Sequence, residues 1–351
     1  MAGTGDGRAE PLGGVSRLGG GTRGSGTAPR TALVVPQKSP GYFARSWRRF
    51  RRNTLSMVAL GIFLLMVLFS YGAPLISRFV SHQTFDAQSL SGQFATIGET
   101  KSGFDFTKPG GQVTNRYWLG SDELGRDALT RLAYGGRVSL TVAFLTMVLA
   151  LTVGLLVGAT AGFYGGWLEG LLMRLVDIFL SIPGLFLLIL VSSLINNNRL
   201  IAQSPFFRDA GWLVLPFVIA SLSWTGISRL IRGEVLAIKG RDYIEAARVL
   251  GASDGRIIFR HILPNVVPVV IIWATLVIPG LILTEASLSY LGFGVQIPTP
   301  SWGNMLTKAT EYFTRAPSLV LLPGLAIYIT VVAVNLMGNG LRDALDPRLN
   351  D

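Results

Sequence analysis

The chain has 351 residues, of which 50% are hydrophobic and only 15% are charged, and its formal net charge is +11. Soluble domains carry about 25% charged residues, so this composition points to lipid as the main solvent. There is no cysteine, which excludes disulfides and thiolate metal sites. The two histidines, His82 and His261, lie far apart in sequence and have no metal-ligand spacing, so we predict no metal site and no cofactor.

Positive charge is concentrated near the N-terminus. Residues 1–53 hold ten Arg or Lys against two acids, a net charge of +8, which leaves +3 for the other 298 residues. Nucleic-acid binding is one interpretation of a basic arm. Here the arm runs straight into an apolar stretch, and the preference for positive charge on the cytoplasmic side of a membrane is the simpler explanation. We therefore predict no nucleic-acid partner.

Residues 1–38 are rich in Gly, Arg, Ser and Thr, so we predict a disordered cytoplasmic tail. Residues 39–80 are predicted to form an N-terminal region with the first transmembrane helix. Its apolar run begins near Thr54, too late for a secretory signal, and is interpreted as a retained span. Arginines alternate with aromatic residues over 42–52, a pattern that suits contact with anionic membrane lipid, although a plain topology signal explains it equally well.

Six uncharged stretches are long enough to cross a bilayer, which needs about 20 apolar residues. They cover residues 54–77, 138–168, 178–198, 210–228, 262–284 and 316–341. The sequence therefore predicts an all-α, multi-pass membrane protein with six transmembrane helices. Prolines inside these stretches do not contradict the prediction, because neighbouring helices can satisfy the backbone groups that proline frees.

The charges between the stretches predict the orientation. Residues 229–260, which follow four predicted spans, hold seven Arg or Lys against four acids and should share the cytoplasmic side with the basic N-terminus. Residues 79–120 are balanced, with three of each, as suits an outer loop. We predict cytoplasmic N- and C-termini, with residues 342–351 as a cytoplasmic tail. Residues 81–137 are predicted to be an extracytoplasmic loop followed by an amphipathic helix from Asp122 to Arg137.

The second predicted span carries small residues four positions apart, at Ala150, Gly154, Gly158 and Gly162. Such a face lets helix backbones approach closely in lipid, so it predicts tight packing inside the bundle or against a partner subunit.

Residues 241–264 follow the fourth predicted span and resemble two short amphipathic helices joined by a break. Gly251 stands where a helix end needs a left-handed residue, and Ser253 or Asp254 can cap the next helix. Pro264 marks the entry to the fifth span. A polar helical hairpin on the cytoplasmic face is suited to docking into a soluble partner.

Glu245-Ala246-Ala247, then Gly251 and Leu263-Pro264, resembles the EAA signature of bacterial ATP-binding-cassette (ABC) import permeases. The resemblance implies the type I ABC importer permease fold, with residues 138–341 as its transmembrane domain and 229–264 as its coupling loop. It also implies contact with an ATPase subunit. The residues to which it assigns this role are Tyr243, Glu245, Ala246, Ala247, Gly251, Leu263 and Pro264. His261 departs from the motif, which has an apolar residue there, and Glu245 could instead be a solvated helix start.

Other segments resemble the C-type subunits of dipeptide and oligopeptide permeases. They are residues 39–53, 119–137, 285–294, 300–305 and 340–348. The resemblance implies import of peptides by alternating access, with nickel, glutathione, opines or short sugars as alternative substrates. It implies four kinds of partner contact: a homologous B-type permease, two ATPase subunits, an extracytoplasmic substrate-binding protein and membrane lipid.

The chain has no Gly-Lys-Ser/Thr sequence, so it lacks a phosphate-binding loop and we predict that it is not an enzyme. ATP hydrolysis must then come from separate subunits. An ion-coupled secondary transporter is a rival, but it predicts ionisable residues near mid-membrane and an inverted repeat, and neither is evident. A membrane enzyme or scaffold would need a catalytic cluster or a folded soluble domain.

Several charged and aromatic residues are further candidates. Asp122, Glu123, Arg126 and Asp127 are interpreted as binding-protein docking residues, and Glu285 could line the translocation path or rest at headgroup level. Arg174 and Asp177 are spaced to pair on one helix face. The aromatic residues predicted for the outer membrane interface are Trp302, Tyr312 and Phe313.

Overall fold

The computed structural model describes residues 42–104, 112–197 and 210–345. The predicted tail at 1–38 and residues 346–351 lie outside the described residues. The described helices and strands, in chain order, are α1 (Tyr42–Arg52), α2 (Thr54–Tyr71), α3 (Ala73–Ile76), β1 (Glu99–Phe104), β2 (Gln112–Tyr117), α4 (Ala128–Tyr164), α5 (Gly166–Ser181), α6 (Gly184–Asn196), α7 (Leu215–Lys239), α8 (Asp242–Val249), α9 (Asp254–Ile257), α10 (Leu263–Tyr290), α11 (Ala309–Arg315) and α12 (Ser318–Leu345).

Short irregular turns extend some of these helices. A π-helical turn over Ser77–Ser81 follows α3, and another over Ile258–Ile262 joins α9 to α10. A 3₁₀ turn over Gly211–Val214 leads into α7. Two more 3₁₀ turns, Leu90–Gly92 and Asn304–Leu306, lie in the connections.

Five helical segments of the described chain are long and apolar enough to cross a membrane. They are Thr54–Tyr71, Ala128–Tyr164, Gly211–Lys239, Asp254–Tyr290 and Ser318–Leu345. The sixth candidate is the pair α5 and α6, which is bent by 86° at a short break. The predicted span over 178–198 is therefore interrupted at Pro183, and six spans result if the bent pair counts as one. Proline at 183 cannot continue the helix and pushes Ile182 into an extended conformation (φ −97°, ψ 132°).

Two predictions for residues 81–137 need correction. β1 and β2 form an antiparallel hairpin in which Glu99 pairs with Tyr117, so the protein is not purely helical. The predicted amphipathic helix begins only at Ala128, because residues 122–127 form a turn. In that turn the Asp122 carboxylate accepts hydrogen bonds from the backbone N–H groups of Leu124 and Arg126, each at 3.0 Å, a bonding pattern that competes with helix formation. The following helix runs without interruption into the second span.

Helix α4 lies at the centre of the bundle and packs along α7. The small-residue face explains the close approach: a Cβ on Gly158 would lie 2.5 Å from the Ser228 carbonyl oxygen, and one on Gly162 would lie 2.9 Å from the Arg232 carbonyl oxygen. Ala150, at the start of the same face, is completely buried. Tight packing inside the bundle, predicted from the four-residue spacing, is confirmed.

The other long helices surround this pair. Helix α2 packs against α12 and α4, and α10 packs against α12 and α4. Helix α1 lies against α12, with Phe50 buried, while Arg48, Arg51 and Arg52 are exposed. Because α12 continues to Leu345, the first residues of the predicted tail at 342–351 are helical.

Candidate functional site

The α8–α9 hairpin is held at the end of α7 by three buried isoleucines. Ile244 of α8, Ile257 of α9 and Ile262 of the following turn are each at most 1% exposed. They pack into one apolar cluster with Val235 and Ile238 of α7. Since α7 ends at Lys239 and α8 begins at Asp242, only two residues separate the hairpin from α7.

The break between α8 and α9 is a glycine-ended helix terminus. Gly251 has φ +83°, its N–H donates to the Arg248 carbonyl at 3.0 Å, and the Ala252 N–H donates to the Ala247 carbonyl at 3.0 Å. This pair of bonds is the Schellman pattern, in which the left-handed residue favours glycine. The left-handed Gly251 predicted from sequence is confirmed. Ser253 starts α9 by position, but its side chain makes no capping hydrogen bond.

The hairpin presents apolar side chains to its surroundings. Val249 is 87% exposed, Leu250 86% and Phe259 73%. Glu245 and Ala246 are also exposed, whereas Ala247 is half-buried. Exposed apolar side chains in a charged connection are typical of an interaction surface. Sequence reasoning missed Val249 and Phe259, although apolar residues inside an otherwise polar segment were the available signal.

His261, which departs from the sequence motif, lies beside Tyr243. Their ring centroids are 6.5 Å apart, and the Asn265 side-chain amide donates to the His261 carbonyl at 2.6 Å. Leu263 and Pro264 form the first turn of α10, where the missing proline N–H is not needed. The seven residues assigned to ATPase coupling therefore lie in one hairpin and its junction with α10.

A polar cluster lies at the opposite end of α4. Asp122 forms an ion pair with Arg126 at 2.7 Å, and Lys308 Nζ contacts Glu123 Oε2 at 2.6 Å. These four side chains help to line a cavity of about 370 Å³ together with Tyr312. Burial, reinforced by the nearby carboxylates of Glu123 and Asp122, raises the pKa of Tyr312.

Asp127 lies outside this cavity lining. It is completely buried, and its carboxylate caps α4 by accepting a 2.8 Å hydrogen bond from the Thr130 N–H. Burial raises the pKa of Asp127, against the opposing effect of the Thr130 hydrogen bonds. Asp122 is only 7% exposed. The Arg126 side chain is about as buried as that of Asp122, so Glu123 has the most accessible side chain of the four predicted docking residues.

The structure contradicts both positions predicted for Glu285, in the translocation path and at headgroup level. Its side chain is 0% exposed, so it neither faces an open path nor rests at a surface. Its carboxyl group accepts hydrogen bonds from Ser139 of α4 and Ser289 of α10, both at 2.7 Å. Trp302 is also fully buried, and its indole N–H donates to the Leu132 carbonyl at 3.0 Å.

The predicted aromatic belt is therefore wrong for two of its three members. Tyr312 is only 6% exposed, and Phe313 alone has an accessible ring. Trp302 and Tyr312 lie in tertiary contacts that no local periodicity could reveal.

The predicted Arg174–Asp177 pair is also wrong. Among the described residues Asp177 is paired with Arg229 of α7 instead. Glu169 of α5 accepts a 2.6 Å hydrogen bond from Arg232 Nε, which also belongs to α7. Two ion pairs therefore join α5 to α7.

Residues 154–351 match the family described as "Binding-protein-dependent transport system inner membrane component", and residues 41–92 match the "N-terminal TM domain of oligopeptide transport permease C". The glutathione transport system permease protein GsiD of Pectobacterium atrosepticum is 35% identical over 303 residues, which is 86% of this chain and 90% of that protein. GsiD of Escherichia coli is 35% identical over 317 residues, covering 90% of this chain and 94% of that protein.

A solved structure described as the inward-facing MetNI methionine ABC transporter is also similar, with 21% identity and a TM-score of 0.48 over 61% of this chain and 96% of that chain.

These matches identify the class: the chain belongs to the binding-protein-dependent transport permeases. More particularly, it is a permease subunit of an ABC importer, a multi-pass membrane protein that works with ATPase and binding-protein partners. The family resemblance noted in the sequence is confirmed.

Proposed function

We propose that this subunit imports peptides, with both termini on the cytoplasmic side, and that it shares its translocation path with a homologous B-type permease. Support for peptide import comes from the match of residues 41–92 to an oligopeptide permease domain. The similarity to glutathione permeases fits the same proposal, because glutathione is itself a small peptide-like molecule. Nickel, opines and short sugars are alternative cargoes of the same architecture. Native mass spectrometry of the ligand held by the cognate binding protein distinguishes them, and a bound metal or sugar would contradict peptide import.

The α8–α9 hairpin carries the proposed mechanism. ATP binding closes two ATPase subunits, and the hairpin moves with the subunit into which it docks. Helices α7 and α10 flank the hairpin directly and tilt with it, which converts an inward-open state into an outward-open one. ATP can bias this equilibrium only by stabilising one state more than the other, and the hairpin is where that difference reaches the membrane.

A Leu250→Asp substitution tests this docking. Leu250 is 86% exposed in the α8–α9 hairpin and makes no core contact, so a carboxylate there leaves the fold intact. It places a charge in an apolar docking contact, and we expect retention of the ATPase to weaken by about 30-fold or more, as for an interface hot spot of about 2 kcal/mol. Co-purification and ATP-driven uptake in proteoliposomes are the measurements.

Leu90→Asp is the matched control, because Leu90 is 68% exposed in the segment between α3 and β1. It should retain the ATPase normally. Normal ATPase binding by the Leu250 variant would exclude the hairpin as the docking element. Glu245→Ala distinguishes an interface contact from a solvated helix start, since only the former reduces retention.

We also infer that the segment around Glu123 and Arg126 docks the extracytoplasmic binding protein. Glu123→Lys replaces the Glu123–Lys308 attraction by repulsion and reverses a surface charge. We expect it to slow association with the binding protein by about tenfold at low salt, with a smaller effect at high salt, because rim charges act mainly on association rates. Binding-protein-stimulated ATP hydrolysis is the measurement.

Glu311→Lys is the comparison, since it makes the same charge change on an exposed residue of the adjacent helix α11. Equal stimulation by wild type and the Glu123 variant would exclude this docking site while leaving the hairpin proposal intact.

A further inference from the structure

Helix α5 is weakly anchored by the chain on either side of it. Gly165 and Gly166, which join it to α4, both have left-handed backbones, with φ of +70° and +60°. At its other end the chain bends by 86° into α6. Neither neighbouring helix continues straight into α5, so the orientation of α5 depends on its tertiary contacts.

Few apolar contacts hold α5. Helix α5 is described throughout, and of its residues only Val176 is buried. Val176 packs with Trp224 of α7, and Phe179 meets the same tryptophan edge-on at 5.8 Å. Met173, which is half-buried, packs on the same cluster from the first half of the helix. The first turns of α5, which follow the glycine joint, contain no fully buried residue.

Two ion pairs add to these contacts, one from the first half of α5 at Glu169 and one from the second half at Asp177. Asp177 pairs with Arg229, and Glu169 pairs with Arg232, at 2.6 Å from Nε to the carboxylate. The two arginines lie about one turn apart on α7 and the two acids about two turns apart on α5, so the pairs occur in opposite order along the two helices but with different spacings. Just beyond them Lys239, the last residue of α7, donates to the Phe163 carbonyl at the end of α4.

We propose that the two α5–α7 ion pairs form an ionic ladder that makes α5 follow α7 when the α8–α9 hairpin moves. Asp177, Glu169, Arg229 and Arg232 are then positioning residues of the transport cycle and not substrate contacts. The inference rests on the proposed coupling role of the hairpin. It extends the moving unit from α7 to the bent pair α5 and α6, whose main packing partners among the described helices are α4, α7 and α10.

Charge exchange in the complete transporter, reconstituted with its partner subunits, tests the ladder. Asp177→Arg and Arg229→Asp should each reduce uptake per ATP hydrolysed by about tenfold, within the range known for residues that carry coupling. The double exchange restores opposite charges and should restore coupling. Arg174→Asp is the matched control, because Arg174 is exposed on α5 and lies outside both ion pairs. Glu169→Gln and Asp177→Asn give milder variants if a charge exchange prevents assembly.

A crosslink gives a second test, in which joining α5 to α7 should restore uptake. The chain contains no cysteine, so Asp177→Cys with Arg229→Cys introduces its only thiols. An arginine side chain spans more than a disulfide does, and a reducible bis-methanethiosulfonate reagent is therefore the suitable probe. If α5 follows α7, bridging the two cysteines should restore uptake that the substitutions removed, and reduction should remove it again. Bridged protein that hydrolyses ATP but stays blocked would show that the helices must separate, and would overturn the ladder.

These outcomes separate the two levels of the proposal. If Leu250→Asp leaves ATP-driven uptake unchanged, the coupling role of the hairpin fails. If Leu250→Asp abolishes uptake but all the α5 and α7 variants transport like wild type, the ionic ladder alone fails.

Discussion

Replacing Gly158 by leucine is expected to prevent α4 from packing along α7. A Cβ at this position would lie 2.5 Å from the Ser228 carbonyl oxygen and 2.8 Å from the Ile231 Cβ. Neither obstacle can rotate away, since one is backbone and the other is the branch point of a side chain that is 0% exposed. Overpacking a core costs about 1–3 kcal/mol even where side chains can adjust, and here the backbones themselves must separate.

The measurement is thermal unfolding of the purified subunit in detergent, together with its yield in the assembled transporter. Gly226→Leu is the matched control, because Gly226 lies on α7 and an added Cβ there meets nothing within 4 Å. We expect the Gly158 variant to unfold at a clearly lower temperature than the control, or to fail to assemble. Equal unfolding temperatures would mean that the close approach of α4 and α7 does not support the fold.

The features predicted correctly from the sequence are those fixed by local chemistry. Apolar length predicts where α2, α4, α10 and α12 lie, because a bilayer imposes one length on all spans. The glycines of α4 share a face through the helical period alone, and Gly251 is required by the backbone of its own helix end. The α8–α9 hairpin belongs to the same group, since its alternation of apolar and polar residues spans only a few turns.

The features that were missed depend on partners distant in sequence. Helical spacing pairs Asp177 with its neighbour Arg174, yet its partner in the structure, Arg229, lies 52 residues away. Glu285 and its partner Ser139 are separated by 146 residues. A charged or polar residue at the end of an apolar stretch has the same appearance in sequence whether it faces water or a buried hydroxyl. The bend at Pro183 was similarly hidden, because prolines also occur inside intact spans such as α10.

The Glu285 network has a structural role that local sequence could not reveal. Ser139 Oγ donates to one carboxyl oxygen and accepts from the backbone N–H of Trp302 at 3.2 Å. Ser289 Oγ donates to the other oxygen and accepts from the Val295 N–H at 3.0 Å. One carboxyl group therefore joins α4, α10 and the connection between α10 and α11. That connection reaches the polar cluster at which Glu123 meets Lys308.

Glu285→Leu should therefore loosen this end of the bundle more than any exposed substitution on the same helix. Leucine offers no acceptor, so the hydroxyls of Ser139 and Ser289 are both left without one. Each buried group left unsatisfied costs about 1–3 kcal/mol, which predicts a total loss of about 2–6 kcal/mol. Glu285→Gln keeps the shape and one acceptor oxygen, and we expect about half that loss. Thermal unfolding and the rate of protease cleavage in residues 291–303 are the measurements.

Ser287→Ala is the control on α10, since the Ser287 side chain is exposed and donates only to a carbonyl of its own helix. The predicted order of unfolding temperature is wild type and the Ser287 variant highest, then Glu285→Gln, then Glu285→Leu. If the Glu285→Leu variant were as stable as wild type, the carboxyl group would not be what holds the connection between α10 and α11 to α4. A glutamine variant as unstable as the leucine variant would show that the carboxyl group itself, and not only its shape and one acceptor, is required.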